Sequence, residues 1–195
     1  MRALGEPLLW HAVRGLLQCG SVGQVIVLAP PQQVAVCSAM LQPLAETRVK
    51  VVTGSAGRAD WVRSALAVGA VQPSDVVLVH DPARPFTPAA TVGAVIDAVR
   101  AGASAAVPVE PVTDTIKVVD SAGVVCGTRD RSLLRSAQSP HGFRAEVLLR
   151  ADPADPLGAL GGEVRTVTGH PRGRRLASPF DVAVMEALLT VEGTS

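Results

Sequence analysis

Residues 75–109 read DVVLVHDPARPFTPAATVGAVIDAVRAGASAAVPV, and this stretch decides the fold. It begins with an apolar run over 75–80, which predicts a strand buried on both faces. A helical pattern covers 89–101 and ends at Gly102, and a second apolar run covers 103–109. Two apolar strands joined by a helix form a right-handed crossover between parallel strands.

The same alternation continues on both sides of this unit. The pattern predicts further strands and helices, namely strands over 25–29, 49–52 and 164–168 and helices over about 6–17, 32–44, 62–70 and 179–191. Such alternation is typical of an α/β fold with an open, doubly wound, mostly parallel sheet and helices on both faces. Ligands bind at the carboxyl ends of the strands in these folds, so we expect the chemistry just after Val52, Val79 and Val109.

One segment departs from this alternation. Residues 115–127 contain two short apolar runs around an Asp-Ser-Ala-Gly turn, which predicts a β-hairpin. A lone hairpin cannot bury its own faces, so we expect it to pack on something else, for which a partner subunit is one candidate. No repeat or linker divides the chain, and we expect a single domain over 1–195.

Composition excludes several classes of protein. The chain has 195 residues, of which 48% are hydrophobic, and its 18 Lys and Arg balance 17 Asp and Glu. This balance argues against a nucleic-acid partner. No apolar run reaches the roughly 18 residues of a membrane span, and no signal peptide is recognisable, so we expect a cytoplasmic protein without a membrane partner. The three cysteines form no CxxC pair and are expected to be reduced core residues.

The segment that follows the strand over 75–80 carries the strongest chemical signal. Asp81 ends the strand and Arg84 follows in a proline-stiffened turn, so a carboxylate and a guanidinium meet at the sheet edge. The carboxylate suits a Mg²⁺ ion or a ribose hydroxyl, and the arginine suits a phosphate. An alternative is that the two side chains only pair with each other to close the turn.

Three other segments bring similar groups to neighbouring strand ends. The loop over 53–60 contains Gly54 and Arg58 and leads into a helix, an arrangement suited to an anion or to an ordinary turn. Residues 112–117 supply hydroxyls and a lysine, and residues 170–175 supply three arginines that can also be a solvated charge run. Together these segments favour a phosphorylated substrate and a nucleotide.

Three motifs then identify a family resemblance. They are HDPARP at 80–85, DTIK at 114–117 and QSPHGF at 138–143. In order and spacing they resemble the patterns HDAARP, DTIK and QTPQGF of 2-C-methyl-D-erythritol 4-phosphate cytidylyltransferases. The resemblance implies a Rossmann-like nucleotidyltransferase fold and the transfer of CMP from CTP to methylerythritol phosphate, with release of pyrophosphate and with Mg²⁺. It also implies a homodimer in which a hairpin arm over 112–130 reaches the partner.

The resemblance also assigns roles to individual residues. It implies that Asp81 lies beside the ribose and the metal, and that Gly54 and Arg58 belong to the nucleotide-binding loop. Arg84, Thr115 and Ser139 fall at positions that hold methylerythritol phosphate, and Arg131 reaches over from the partner's arm. Arg175 stands at the position of a lysine that stabilises the transferring phosphoryl group, so that Arg175 and Arg84 are the expected catalytic residues.

Several positions depart from the family's patterns. Ser55 and Ala56 replace Gly and Asp, Trp61 replaces a small residue near the cytosine, and the family's first strand and glycine-rich phosphate loop have no counterpart in 1–195. We therefore keep open a start codon further upstream, a paralogue of the same fold without catalysis, and a nucleotidyltransferase for another phosphorylated polyol.

Overall fold

The computed structural model describes residues 1–44, 47–54, 58–151 and 155–192, without the side chains of residues 58–61, 159 and 192. The described residues form α-helices α1 Leu8–Gln18, α2 Val34–Leu41, α3 Arg58–Val68, α4 Ala89–Arg100, α5 Ala145–Arg150 and α6 Pro179–Glu192. Their strands are β1 Arg2–Ala3, β2 Glu6–Pro7, β3 Val25–Ala29, β4 Val49–Thr53, β5 Val76–Val79, β6 Ala105–Pro111, β7 Ile116–Val119, β8 Val125–Arg129, β9 Arg135–Ala137, β10 His141–Arg144 and β11 Val164–Thr168.

The main sheet has the order β11-β6-β10-β5, and β9 pairs with the end of β6. Strand β11 is parallel to β6, whereas β10 lies between β6 and β5 and is antiparallel to both. Strands β5, β6 and β11 therefore point the same way, and their carboxyl ends lie at one edge. Strands β3 and β4 form a separate parallel pair. The predicted α/β class is confirmed, but the reversed β10 was missed.

Helices cover both faces of the main sheet. On one face, Val95 and Val99 of α4 pack on Ala106, with Val76 and Leu78 beside them. On the other face, Phe143 of β10 and Leu148 of α5 belong to a second cluster, against which Val77 and Val79 pack. The residues of β5 alternate between these clusters, as the side-chain period of two requires. All four are only partly buried, so the prediction of a strand buried on both faces was too strong.

Glycine at position 142 allows α4 to lie close to the sheet. A Cβ atom on Gly142 would lie 2.5 Å from Cγ1 of Val95 and 3.3 Å from Cγ2 of Val99. Both valines are almost fully buried, so neither can move aside cheaply. The glycine of the 138–143 motif therefore serves the packing of the strand that carries it.

The predicted hairpin is confirmed as β7 and β8. Oδ1 of Asp120 accepts hydrogen bonds from the backbone N–H groups of Ala122 and Val124, both at 2.9 Å, and Gly123 adopts φ +80°. The hairpin leaves large apolar side chains exposed, among them Val119 at 55% and Val125 at 58%.

Other expectations need correction. The first helix begins at Leu8 rather than at residue 6, because Pro7 has an extended backbone and caps it. The predicted helix over 32–44 is an α-helix only over Val34–Leu41, with a 3-10 turn on each side. The cysteines are free, but the prediction that they lie in the core was wrong: Cys19 and Cys37 are only partly buried, and Cys126 is exposed on the hairpin. Among the described residues, no helix is long and apolar enough to span a membrane.

Candidate active site

Three loops meet at the carboxyl ends of β5, β6 and β11. The loop after β5 and the loop after β11 are joined by a hydrogen bond of 2.7 Å from Leu176 N to Ala83 O. The loop after β11 is also fixed to β6, because Gly169 N donates to Val109 O at 2.8 Å. The third loop, which joins β9 to β10, is fixed to β6 because Gln138 N donates to Pro108 O at 2.8 Å. The site therefore lies at the sheet edge that the strand pattern predicts.

The side chain of Gln138 holds this framework together. Its Nε2 donates to Glu110 Oε2 at 2.6 Å and to His170 O at 2.9 Å, and its Oε1 accepts from His170 N at 3.0 Å. A Cβ atom on Gly173 would lie 2.6 Å from the same Oε1, and one on Gly169 would lie 2.7 Å from it. Glycine at these two positions thus leaves room for the buried side-chain amide of Gln138. The sequence did not predict this role of Gln138.

Asp81 is the acidic group at the centre of the site. Its Oδ1 accepts from Ala83 N at 2.9 Å, and its Oδ2 accepts from Arg175 Nε at 3.0 Å. The side chains of Arg175 and Asp81 are 58% and 35% exposed. An ion pair this exposed adds at most about 1 kcal/mol to stability, so a ligand can open it at little cost.

Arg84 lies beside this pair but does not pair with Asp81 to close the turn. Its Nη1 donates to Gly173 O at 2.8 Å and its Nη2 donates to Ala137 O at 3.3 Å. Burial lowers the pKa of the Arg84 guanidinium, and Arg175 acts in the same direction, whereas Asp81 and Glu110 raise that pKa. An arginine stays charged under such shifts, so Arg84 joins the three loops and keeps a positive charge beside Asp81.

His80 lies partly buried beneath the turn formed by residues 81–84. Its Nε2 is 3.2 Å from Arg84 O, and its Nδ1 is 3.1 Å from Ser139 Oγ. Burial is the main reason why its pKa is lowered from 6.5 to about 4, and the charges of Arg84 and His141 also lower it. The hydrogen bond to Arg84 and the charge of Asp81 oppose the shift only in part. His80 is therefore neutral at neutral pH.

Acidification is expected to destabilise the protein through His80. Since the folded pKa of about 4 lies below the ordinary 6.5, the unfolded chain binds a proton in this interval and the folded chain does not. The stability from neutral His80 is present above about pH 6.5 and falls as the pH drops towards 4, by about 2 kcal/mol at pH 5. Urea unfolding at pH 7 and pH 5 measures this loss. His80→Gln, which does not titrate, should lose about 2 kcal/mol less, and equal losses would contradict the expectation.

The other predicted site residues lie in two places. Gly54 follows β4, and its N–H donates to Ala29 O at 2.8 Å, so this amide holds the two parallel strands together. Arg58 is the first residue of α3, but its side chain lies outside the described residues, as do residues 55 and 56 and the side chain of Trp61. Thr115 and Arg131 lie on and beside the hairpin arm, where both are exposed.

The side chains of Ser139 and Arg131 both form hydrogen bonds within the chain. Ser139 is only 4% exposed, and its hydroxyl lies between His80 and the backbone N–H of Asp81. Arg131 donates from Nη1 to Thr113 O at the base of the arm. The structure thus brings Asp81, Arg84, Arg175 and Ser139 into one network within a single chain, whereas Thr115 lies on the arm and Arg131 lies directly after it.

Comparisons with known proteins find the same family along nearly the whole chain. The family model described as 2-C-methyl-D-erythritol 4-phosphate cytidylyltransferase matches residues 1–191. A protein of that name from Saccharopolyspora erythraea is 47% identical over 196 residues, which cover 95% of this chain and 87% of the relative. One from Rhodococcus jostii is 41% identical, covering 95% of this chain and 83% of the relative.

Solved structures give the same result. A 4-diphosphocytidyl-2C-methyl-D-erythritol synthase is similar with a TM-score of 0.83 and 28% identity, covering 97% of this chain and 93% of that one. The cytidylyltransferase structure from Thermus thermophilus is similar with a TM-score of 0.74 and 28% identity, covering 97% of this chain and 91% of that one.

Proposed function

The chain belongs to the 2-C-methyl-D-erythritol 4-phosphate cytidylyltransferase family, and on this basis we propose which role each site residue has in the reaction. The enzyme transfers CMP from CTP to 2-C-methyl-D-erythritol 4-phosphate, a step in the synthesis of isoprenoid precursors by the non-mevalonate pathway. A phosphate oxygen of the acceptor attacks the α-phosphorus of CTP. The bond from that phosphorus to the bridging oxygen breaks, and pyrophosphate leaves.

The ion pair between Asp81 and Arg175 carries the proposal for the site. One carboxylate and two guanidinium groups, those of Arg175 and Arg84, lie together at an exposed sheet edge. Phosphoryl transfer needs positioning and neutralisation of spreading negative charge more than covalent chemistry. We therefore assign Arg175 and Arg84 to the charge that develops at the α-phosphate.

The nucleotide is proposed to lie between β4 and β5. Asp81 can accept a hydrogen bond from a ribose hydroxyl, since its carboxylate offers about four lone-pair sites and two hydrogen bonds use two of them. Gly54 fixes the end of β4, from which the chain leads to Arg58 at the start of α3. The positive end of a helix together with a basic residue suits a phosphate group.

A Mg²⁺ ion fits the groups at this site. Among the described residues, no cluster of three or more His, Cys, Asp or Glu could hold a metal alone. Mg²⁺ commonly binds through one or two carboxylates together with substrate phosphates and water, and Asp81 supplies one exposed carboxylate. Asp81 would hold the ion, which when bound would neutralise charge on the phosphates of CTP.

The acceptor is proposed to meet the arm as well as the sheet edge. Arg84 supplies a charge for the acceptor phosphate, and Thr115 and Arg131 are exposed. Arg131 keeps further N–H groups for a neighbouring molecule besides the one that it donates to Thr113 O. We propose that the chain forms a homodimer through the arm over residues 112–130, so that Arg131 of one subunit serves the site of the other. We further propose a cytoplasmic location, which the free cysteines support.

Replacing Val125 with Asp is expected to weaken the dimer. Val125 is 58% exposed and is the cross-strand partner of Val119, so the two form one apolar patch. Burial of a valine side chain is worth about 1.5 kcal/mol or more, so the dimer dissociation constant should rise at least roughly tenfold. Light scattering across a dilution series measures it. Val36→Asp, at 60% exposure on α2, is the matched control. A Val125→Asp protein that stays as dimeric as the control would contradict the proposed interface.

A panel of acceptors tests the proposed substrate. Pyrophosphate release from CTP is measured with 2-C-methyl-D-erythritol 4-phosphate, erythritol 4-phosphate and ribitol 5-phosphate at equal concentration. We expect the methylated acceptor to give the highest kcat/KM. A higher value with ribitol 5-phosphate would assign the enzyme to another phosphorylated polyol.

A further inference from the structure

The loop that carries Arg175 is fixed on both sides of that residue. At the start of the loop, Gly169 N donates to a carbonyl oxygen of β6 at 2.8 Å. Directly after Arg175, Leu176 is only 1% exposed, and its N–H donates to the loop after β5 at 2.7 Å. Between these two anchors the chain forms the 3-10 turn Pro171–Gly173. The conformation of this turn therefore determines where the backbone of Arg175 lies.

His170 caps the amino end of this turn with its side chain. Pro171 has no N–H group, and Gly173 N donates to the carbonyl oxygen of His170 at 2.7 Å. Arg172 N is the remaining backbone donor of the turn, and it donates to Nδ1 of His170 at 3.1 Å. The backbone of His170 is extended, with φ −145° and ψ 142°, as is usual for a capping residue. His170 thus supplies the partners of both N–H groups in the turn.

The main chain of His170 is itself held in place. Its N–H donates to Oε1 of Gln138 at 3.0 Å, and its carbonyl oxygen accepts from Nε2 of the same amide at 2.9 Å. The ring is therefore attached to a fixed point of the framework. Since Nδ1 accepts from a backbone N–H, this nitrogen carries no proton. The cap needs an acceptor atom at this place and no positive charge.

The capped turn fixes both arginines of the site. Gly173 O, at the end of the turn, accepts from Arg84 Nη1 at 2.8 Å. Two residues further along the chain, Arg175 Nε donates to Asp81 Oδ2 at 3.0 Å. A turn without its cap would hold these two guanidinium groups less firmly. A displacement of about 1 Å at a reacting centre can cost on the order of a hundredfold in rate.

We propose that His170 is a positioning residue, which holds the turn that directs Arg175 to the transferred phosphoryl group. This inference rests on the proposed function, because the place of Arg175 matters only if its charge serves the transfer. His170 acts through the turn and not by contact with either substrate.

Three variants of His170 separate a cap from other roles of the ring. Asparagine is a preferred capping residue, and its Oδ1 is as many bonds from Cα as Nδ1 of histidine is. His170→Asn therefore keeps the acceptor and removes the ring. His170→Gln places its oxygen one bond further out, and His170→Ala removes the acceptor. Asp75→Ala is the matched control, because Asp75 Oδ2 accepts from Gln72 N at 2.8 Å in the turn before β5, at the opposite edge of the sheet.

We expect His170→Ala and His170→Gln to lower kcat roughly tenfold to a hundredfold, with the KM for CTP and for the acceptor changed less than about threefold. His170→Asn keeps the cap and should stay within about threefold of the wild-type kcat, as should Asp75→Ala. Equal losses of kcat in His170→Asn and His170→Ala would overturn the proposal, as would an unchanged kcat in His170→Ala.

A double-mutant cycle tests whether His170 acts through Arg175. If it does, His170→Ala should lower kcat by less than about a further threefold in a protein that already carries Arg175→Ala. Losses that multiply in the double variant would show that the two residues act independently, which would overturn the proposal.

Amide hydrogen exchange measures the cap apart from catalysis. The Arg172 N–H should exchange roughly tenfold faster in His170→Ala than in the wild type, and at nearly the wild-type rate in His170→Asn. Equal exchange in His170→Ala and the wild type would overturn the proposal whatever the activity. Wild-type turnover is measured on the same samples. Absence of wild-type turnover would count against the proposed function, whereas unchanged exchange counts against the cap alone.

Discussion

An Asp81→Asn enzyme is expected to fold with nearly wild-type stability and to transfer CMP roughly 10- to 150-fold more slowly. Asparagine keeps an oxygen for the N–H of Ala83, which the aspartate holds at 2.9 Å, so the turn should survive. The amide nitrogen would face Arg175 Nε, donor against donor, and the negative charge for the ribose or the metal is lost. Hydrogen bonds to charged groups are worth about 1.5–3 kcal/mol, which gives that range of rates.

The measurement is kcat/KM for CTP, with urea unfolding of the same protein. Asp181→Asn is the matched control, because Asp181 caps α6 by accepting from Ala177 N and Ser178 N and lies outside the proposed site. The control should keep its rate. A value of kcat/KM for Asp81→Asn within threefold of wild type would remove Asp81 from the site.

Replacing Arg175 with Ala is expected to lower kcat about 100- to 1,000-fold, the cost of one donor aimed at developing charge. Nε of Arg175 donates to Asp81, and the guanidinium carries four further N–H groups that can reach phosphate oxygens. Its side chain is 58% exposed, so the loss should fall on the rate and not on folding.

Arg175→Lys sharpens this test. Lysine keeps the charge but has no donor along its side chain, so it cannot contact Asp81 and a phosphate as arginine does. We expect an intermediate loss of about tenfold. Arg174→Ala, one residue away and exposed, is the control and should stay within threefold of wild type. Equal losses for Arg174→Ala and Arg175→Ala would show that only the overall charge of the loop matters.

The strands that the sequence predicted are those with strong local signals. Strands β3, β4, β5, β6 and β11 are rich in β-branched or small apolar residues, and each was predicted. Strand β10 was missed because His-Gly-Phe-Arg has no such pattern, and it is a strand because β5 and β6 pair with it on both sides. The short helix α5 was also missed, since six residues give too little periodicity.

The same distinction between local and long-range signals applies to the residues of the site. The meeting of a carboxylate and a guanidinium after β5 could be predicted, because Asp81 and Arg84 are three residues apart. The ion-pair partner of Asp81 could not be predicted, since Arg175 lies 94 residues further along the chain. The pairing of β11 with β6 is what places Arg175 beside Asp81. The inward contact of Ser139 likewise depends on His80, at a distance of 59 residues.

Direct observation of the reaction tests the central claim, that this chain transfers CMP through the site around Asp81 and Arg175. The enzyme, expressed from its own gene, is incubated with CTP, 2-C-methyl-D-erythritol 4-phosphate and Mg²⁺ and followed by phosphorus NMR. We predict a new diphosphate diester and pyrophosphate in equal amounts, with both signals strongly slowed in Asp81→Asn and Arg175→Ala. Unchanged CTP, or transfer at the wild-type rate in both variants, would contradict the account.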